Sequence, residues 1–219
     1  APENALPPLP TVDVTDSTAL HALEQAVTAA PYVAVLASEG LDALTLCDGK
    51  ACYALAWAQL GDDYNAFLRL LFSDRVHKAG HNIKDLMRAL LAEGLPTDGF
   101  VFDTALAAYD LNPSSSDYTV SKLATNYLGL SVEDADAAAC AEALWHLRPV
   151  LSGELEKNGM ERLYREVEFP LCRVLYRMEN RGICIDREQL RQFGDMLSRR
   201  ISDCETLIFS YSGGEFNIN

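Results

Sequence analysis

Short apolar runs of strand length alternate with helical segments through the first two thirds of the chain. Residues 32–36 form one such run, and residues 41–47 and 51–56 flank Asp48-Gly49, a pair typical of two-residue hairpin turns. Further along the chain, short apolar runs precede segments with helical periodicity. This alternation predicts a mixed α/β domain that contains at least one antiparallel pair of strands.

The pattern changes near residue 135, after which strand signals almost disappear. Apolar residues then recur at helical spacing in three segments, residues 135–157, 161–180 and 186–210. We expect the last two segments to form a projecting antiparallel helical pair. The sequence therefore divides into a proline-rich lead-in, an α/β domain and a helical segment, over residues 1–16, 17–157 and 158–219.

Acidic residues outnumber basic residues, and the formal net charge is −14. Residues 1–150 hold 20 Asp and Glu against 8 Lys and Arg, whereas residues 151–219 hold 12 against 10. Nucleic-acid binding depends on basic patches that displace counterions from phosphates. The first part of the chain is therefore not expected to bind DNA through its main surface, while the second part could contact DNA locally.

The cysteines and histidines do not have the spacing of metal ligands. The six cysteines include no Cys-x-x-Cys pair, so a zinc site is not expected. We expect free and mostly buried thiols rather than disulfides. The sequence also has no apolar run long enough to cross a membrane and no signal peptide, so we expect a cytoplasmic protein.

Three motifs in the helical segment carry a family resemblance. They are Glu168-Phe169-Pro170-Leu171, Gly182-Ile183-Cys184-Ile185-Asp186 and the final Gly214-Glu215-Phe216-Asn217-Ile218-Asn219. In this order they resemble the first thumb helices of the bacterial family A DNA polymerases, the Klenow-type DNA polymerase I enzymes. The resemblance implies that the palm and fingers would follow this segment.

Upstream motifs resemble the 3′-5′ exonuclease domain of the same family. They are Gly80-His81-Asn82-Ile83-Lys84, then Phe102-Asp103-Thr104, and then the segment from Ala108-Tyr109-Asp110 to Pro113. The resemblance extends over about 200 of the 219 residues. It implies a ribonuclease H-like 3′-5′ exonuclease fold, a mixed sheet flanked by helices, followed by a helical pair that is part of the polymerase thumb.

Active exonuclease domains of this family hydrolyse DNA with two metal ions, which require about four carboxylates. The resemblance places an Asp-x-Glu pair after the first central strand, where this chain has Leu36 and Ser38. In the second motif, Asn-x-x-x-Asp, the acid is replaced by Leu86. In the third, Tyr-x-x-x-Asp, Val132 replaces the tyrosine and Asp136 occupies the acid position. We therefore expect a vestigial site with no catalytic residue and no bound metal.

Two acids lie next to the vacated positions, and they define the alternative. Glu39 and Asp85 would rescue the site if the carboxylates had shifted by one residue. A shift of one residue turns a side chain to the opposite face of a strand, or by about 100° around a helix, so both are expected to miss the site. Asp103 is expected to be a helix N-cap, and His77 and His81 are expected at the surface.

The resemblance implies a fragment of a template-directed DNA polymerase, a nucleotidyltransferase of replication and repair. We expect the fragment itself to be inactive and to need no cofactor, with Mg²⁺ serving the intact polymerase. Its expected partners are primer-template DNA, contacted weakly at Asn217 and Asn219, the palm and fingers in cis, and a second copy through exposed thumb helices. The alternative is an active metal-dependent 3′-5′ exonuclease of the ribonuclease D type.

Overall fold

A mixed sheet of six strands organises the first part of the molecule, in the order β1-β4-β3-β2-β5-β6. The computed structural model describes residues 8–218. The strands are β1 (Thr11–Val14), β2 (Val33–Ala37), β3 (Ala43–Cys47), β4 (Cys52–Ala56), β5 (Lys78–Gly80) and β6 (Phe100–Asp103). Strands β2, β5 and β6 are parallel neighbours, so their carboxyl ends meet at the same edge of the sheet.

The predicted hairpin is confirmed. Strands β3 and β4 pair antiparallel, and β3 also pairs antiparallel with β2. Gly49 in the connecting turn has φ +84°, and a Cβ there would lie 2.2 Å from the ring of Trp145. Glycine is therefore required at this position both for its backbone conformation and for the close packing of the indole.

Helices cover both faces of the sheet. The longer helices of the whole chain are α1 (Ser17–Ala29), α3 (Asp62–Leu71), α4 (Ile83–Ala92), α5 (Thr104–Leu111), α7 (Ala137–Lys157), α9 (Phe169–Arg181) and α10 (Arg187–Ser212), of which α10 does not belong to the compact unit that contains the sheet. The short ones are α2 (Trp57–Leu60), α6 (Val120–Leu123) and α8 (Glu161–Leu163), and π-helical turns span Ala124–Leu128 and Tyr164–Glu168. The predicted α/β class and the ribonuclease H-like arrangement are confirmed.

The two apolar cores follow the alternation of side chains along β2. Val33 and Val35 belong to a cluster that includes residues of α1, α3 and α4. Ala34, between them, belongs to the opposite cluster, which α5 and α7 complete. Successive residues of a strand point to opposite faces, so a single central strand contributes to both cores.

Two local features differ from the sequence-based expectations. Thr11–Val14 forms an edge strand that pairs in parallel with β4, although these residues were assigned to the lead-in. Asn82 is of a residue type that favours the N-cap position, which predicts that it caps α4. It does precede this helix with φ 53°, but its side chain makes no capping hydrogen bond. The backbone N–H groups at the start of α4 are instead bound by a carboxylate from a distant part of the chain.

The chain divides into two compact units, Ala1–Asn180 and Arg181–Asn219. Helix α9 packs onto the first unit through the buried side chains Cys172 and Tyr176, and the Tyr176 hydroxyl lies 2.9 Å from Thr97 Oγ1. The proposed boundary at residues 157 and 158 remains a prediction. Among the described residues, no helix is long and apolar enough to cross a membrane.

The second unit consists of α10 and the segment after it. Asp186 caps the helix by accepting hydrogen bonds from Glu188 N and Gln189 N, both at 3.0 Å. Beyond the helix, the chain returns so that the Phe216 ring lies 5.8 Å from the Phe209 ring, edge to face. The apolar residues with near-heptad spacing are 41–59% exposed, and they are Leu190, Phe193, Leu197, Ile201 and Leu207. The antiparallel pairing of residues 161–180 with residues 186–210 remains a prediction.

A fully buried lysine is an unexpected member of the core of the first unit. Lys78 Nζ donates hydrogen bonds to the carbonyl oxygens of Ser73 and Val76, at 2.9 and 2.8 Å, and lies over the rings of Phe72 and Phe100. Burial lowers the pKa of Lys78 to about 7. A Cβ at Gly99 would lie 2.5 Å from Nζ, so this amine has a closely fitted site. The two carbonyl groups match the two N–H groups of a neutral amine.

We predict that Lys78 makes the free energy of unfolding depend on pH above neutrality. The pKa is about 7 in the folded protein against 10.5 for the free side chain, so the unfolded state binds more protons between these values. The contribution of Lys78 to stability should therefore rise with pH across this window. Denaturant unfolding of the wild type and of Lys78→Met, from about pH 7 to about pH 10, checks this. A constant difference between the two proteins would contradict it.

Candidate functional site

A cleft of about 370 Å³ opens at the carboxyl end of the central strand. The end of β2 and the loop that follows form one wall, and the start of α4 forms the other. Leu36, Ser38 and Leu86 all line this cleft. Three of the four predicted vestigial positions are therefore brought together by the fold.

None of these three side chains provides an anionic ligand. Leu36 and Leu86 are half-buried and apolar. Ser38 Oγ donates a hydrogen bond to the Asp42 carboxylate and accepts one from Ala43 N at 3.0 Å. The hydroxyl is thereby used to close the loop between β2 and β3. Magnesium prefers carboxylate oxygens and water, so these groups cannot replace the expected acids.

The two neighbouring acids, Glu39 and Asp85, also line the cleft. Both are exposed, and Asp85 forms an ion pair of 3.5 Å with Arg88. Within residues 8–218, no three side chains of His, Cys, Asp or Glu are grouped so that they could hold a metal ion. A shift of one residue thus brings two acids to the edge of the cleft without assembling a cluster of ligands.

The fourth predicted position, Asp136, is not part of this cleft. Asp136 is exposed and caps α7 by accepting a hydrogen bond from Ala139 N at 3.0 Å. Asp134, two residues earlier, accepts hydrogen bonds from Ser121 N and Oγ at 3.1 and 2.9 Å. Its charge also acts to raise the pKa of His81, a cleft residue. Asp134 was not among the predicted site residues, although it lies two residues before Asp136 in the sequence.

His81 was expected at the surface, and this expectation is wrong. Its ring is half-buried in the cleft wall, with Nδ1 2.9 Å from Thr104 Oγ1. The Thr104 hydroxyl donates to the Gly80 carbonyl oxygen at 3.2 Å, which leaves Oγ1 to accept from Nδ1–H. Burial lowers the pKa of His81 to about 4. The imidazole is therefore neutral near pH 7 and adds no positive charge to the cleft.

Asp103 is a buried residue whose carboxylate binds the starts of two helices. Its carboxylate caps α5 by accepting from Ala105 N and Leu106 N, as expected. It also accepts from Asn82 N and Ile83 N, at 3.1 and 2.8 Å, and so caps α4 as well. The residue is 3% exposed, and burial raises its pKa against the opposing effect of the backbone hydrogen bonds.

Tyr164 connects the Asp103 site to the helical segment. Its hydroxyl accepts a hydrogen bond from Asp103 N at 2.7 Å and lies 3.1 Å from Asp103 O. The ring packs 5.1 Å from Phe102 and 5.6 Å from Phe169. The motif that begins at Glu168 is thus held next to Asp103, which forms a double cap because its carboxylate caps both α4 and α5.

The two asparagines predicted to contact DNA belong to the second unit. Asn217 lines an apolar groove of about 560 Å³ along α10, together with Phe216 and Ile218. Asn219 lies outside the described residues. The groove is bounded by one helix and its returning segment, and its lining is mainly apolar.

Several bacterial proteins have sequences similar to that of this chain. No family model matches the chain. DNA polymerase I of Chloroflexus aurantiacus is 34% identical over 165 residues, and that of Bacillus subtilis is 31% identical over 159 residues. These alignments include 65% and 62% of this chain but only 18% of each relative.

Solved structures define the fold class. The likeness to Escherichia coli RNase D, an exoribonuclease, has a TM-score of 0.61 at 19% identity and covers 80% of this chain and 52% of that one. The first unit therefore has the 3′-5′ exonuclease fold of the ribonuclease H-like class. The polymerase domain of Pol1 from M. smegmatis, in complex with DNA primer-template and dNTP, matches with a TM-score of 0.78 at 26% identity. This match covers 94% of the chain and 38% of that structure.

The chain is therefore similar in sequence and in structure to one segment of the bacterial DNA polymerase I enzymes. It spans about a fifth of the length of the curated relatives that it matches. The predicted resemblance to bacterial DNA polymerase I is thereby confirmed.

We predict that Asp103→Ala destabilises the fold much more than Asp136→Ala does. Removing Asp103 leaves four backbone N–H groups without their acceptor, and each unpaired buried group costs about 1–3 kcal/mol. The expected loss is about 3 kcal/mol or more, against about 1 kcal/mol for the exposed cap at Asp136. Urea unfolding of both variants measures this difference, and equal losses would contradict the role assigned to Asp103.

Proposed function

We propose that this chain is the 3′-5′ exonuclease-like domain and the first thumb helices of a bacterial DNA polymerase I, and that the domain is a scaffold without nuclease activity. One observation carries the proposal: Leu36, Ser38 and Leu86 meet in one cleft. The family resemblance assigns metal-binding carboxylates to these same three positions.

The physical argument concerns the charge that two-metal hydrolysis requires. Two divalent ions hold the attacking water and the leaving oxygen, and carboxylates must offset their charge. The cleft replaces three of these carboxylates by two leucines and a serine whose hydroxyl is already hydrogen-bonded. The leucines bury apolar area and remove like-charge repulsion, so the change favours stability over catalysis.

The scaffold role follows from how the helical segment is attached. Tyr164 and Tyr176 are buried in the first unit, and Arg173 Nη2 donates to Thr97 O and Asp98 Oδ1 at 3.1 and 3.0 Å. Lys84 Nζ also lies 2.7 Å from Glu179 Oε1. The α/β unit thus holds the base of the thumb segment in a defined position.

The partners of the whole protein are proposed from its relatives. A structural neighbour binds DNA primer-template and dNTP, and we propose the same activity for the complete polymerase here, with Mg²⁺ in its own active site. The palm and fingers would be supplied in cis. Asn217 and Asn219 would lie toward the DNA. The exposed apolar residues of α9 and α10 would serve pairing with further thumb segments or with a second copy.

An active exonuclease of the ribonuclease D type is the second candidate. The likeness of the fold to RNase D and the presence of Glu39 and Asp85 at the cleft support it. It requires that these two acids, with a third ligand, bind a divalent ion. Substitution of Glu39 and Asp85 therefore distinguishes an active exonuclease from an inactive scaffold.

We predict that the purified chain releases no mononucleotides from single-stranded DNA in the presence of Mg²⁺ or Mn²⁺. The assay is gel analysis of labelled DNA, with a double variant Glu39→Gln/Asp85→Asn as the matched control. Both proteins should give the background rate seen with EDTA. Metal-dependent degradation by the wild type that the double variant lacks would favour the second candidate.

A variant with carboxylates at the three vestigial positions provides a positive control for the absence of metal binding. In Leu36→Asp/Ser38→Glu/Leu86→Asp, three carboxylates should converge in the cleft, because the fold already places these positions together. Mn²⁺ should then raise the unfolding midpoint of this variant and leave that of the wild type unchanged, since ligand binding stabilises only the protein that binds it. An equal rise in both proteins would contradict the proposal.

We predict that the chain binds primer-template DNA weakly at physiological salt. Residues 1–150 carry 20 acidic against 8 basic side chains, and this surface repels phosphate. The dissociation constant at about 150 mM salt should fall in the range of non-specific binding, about 10⁻⁴ to 10⁻⁶ M. Fluorescence anisotropy measures it, and a sub-micromolar value would refute the prediction.

A further inference from the structure

Two cysteines lie directly opposite each other at the end of the β3–β4 hairpin. Cys47 is the last residue of β3 and Cys52 is the first residue of β4, and they are partners in the antiparallel register. Both are free thiols, with exposed fractions of 0% and 1%. Neither cysteine lines the cleft, so the exonuclease-like site gives them no role.

Backbone hydrogen bonds show whether Cys47 and Cys52 are a hydrogen-bonded or a non-hydrogen-bonded pair of the antiparallel ladder. Asp48 N donates to Ala51 O at 3.3 Å, so these two residues are the hydrogen-bonded pair next to the turn. Cys52 N donates away from the hairpin, to Pro10 O at 2.9 Å. Cys47 and Cys52 are therefore a non-hydrogen-bonded pair, in which the Cα atoms lie about 4.5 Å apart and the side chains are closest. This separation is within the range of about 4.4–6.8 Å that a disulfide requires.

The surroundings make the two thiols unequal. A hydrogen bond from the Cys47 thiol lowers the pKa of Cys52, whereas the same interaction and burial raise the pKa of Cys47. Burial raises the pKa of Cys140 and of Cys172 to about 11. Among the four buried cysteines, Cys52 is thus the one with a lowered thiol pKa, and its thiolate has a proton donor beside it.

We propose that Cys47 and Cys52 form a site of reversible oxidation, at which a peroxide converts the two thiols into a cross-strand disulfide. The Cys52 thiolate attacks one oxygen of hydrogen peroxide, so that an S–O bond forms, the O–O bond breaks and hydroxide leaves as water. Cys47 sulfur then displaces the oxygen from the Cys52 sulfenic acid, forming the S–S bond and a second water. Two thiols are oxidised by two electrons, and one peroxide is reduced to two waters.

Access to Cys52 requires local opening, because its Sγ donates a hydrogen bond to Ala138 O of α7 at 3.5 Å and β1 pairs with its strand. Its strand is covered by β1, a short edge strand whose residues Thr11, Val12 and Asp13 are exposed. Local opening of an edge strand costs less free energy than global unfolding. The turn on the other side is held in place by Trp145 over Gly49, so the two strands remain in register when β1 opens.

Peptide mapping tests the proposal in a Cys184→Ser/Cys204→Ser background, which removes the two exposed thiols. The folded protein is treated with hydrogen peroxide, the peroxide is removed, and the protein is unfolded in denaturant that contains the alkylating reagent, so that every remaining thiol is blocked before trypsin cleavage. Lys50 is the first basic residue and Arg69 the second, so the two cysteines fall in separate peptides, residues 1–50 and 51–69. We expect these peptides to stay joined, with the loss of two hydrogen atoms, until dithiothreitol separates them.

Single variants test the order of the steps. In Cys47→Ser, Cys52 should accumulate as a sulfenic acid that dimedone traps, whereas in Cys52→Ser, Cys47 should remain a thiol. Separate and fully alkylated peptides, under conditions that oxidise Cys184 and Cys204 in the wild type, would overturn the proposal. Joining that occurs only in the unfolded protein would overturn it as well, as would trapping at Cys47 instead of Cys52.

Discussion

The double cap formed by Asp103 is the interaction on which the rest of this structure depends. A single buried carboxylate accepts hydrogen bonds from the first turns of both α4 and α5, and so fixes the relative position of two helices that follow neighbouring parallel strands. The start of α4 is also the wall of the cleft. Tyr164, bonded to the backbone of Asp103, extends the same constraint to the turn Tyr164–Glu168 and to the start of α9. The positions of α4 and α5, one wall of the cleft and the attachment of Tyr164 thus all depend on Asp103.

The framework of the cleft does not depend on the side chains at positions 36 and 86. The cleft walls are held by backbone pairing in the sheet and by the Asp103 cap, and neither needs a metal ion. Leucine at positions 36 and 86 therefore changes the charge of the cleft but not its framework. His81, neutral and hydrogen-bonded to Thr104, adds no charge that would attract a phosphate.

Local signals predicted the parts of the fold that depend on neighbouring residues. Asp48-Gly49 indicated the hairpin, and Asp103 indicated the start of α5, because turns and caps are recognised over a few positions. Interactions between distant residues were not predictable in this way. The second cap made by Asp103 joins residues 20 and 21 positions apart. The hydropathy pattern predicts that Lys78 lies at the surface. Its burial depends on the carbonyl groups and aromatic rings around it.

We propose above all that the exonuclease-like cleft binds no catalytic metal ion. Anomalous diffraction from crystals soaked in Mn²⁺ tests it most directly, since the ion is located together with its ligands. We predict no bound Mn²⁺ between the end of β2 and the start of α4. An Mn²⁺ peak coordinated by Glu39 and Asp85 in that cleft would contradict the account and would identify a displaced but functional metal site.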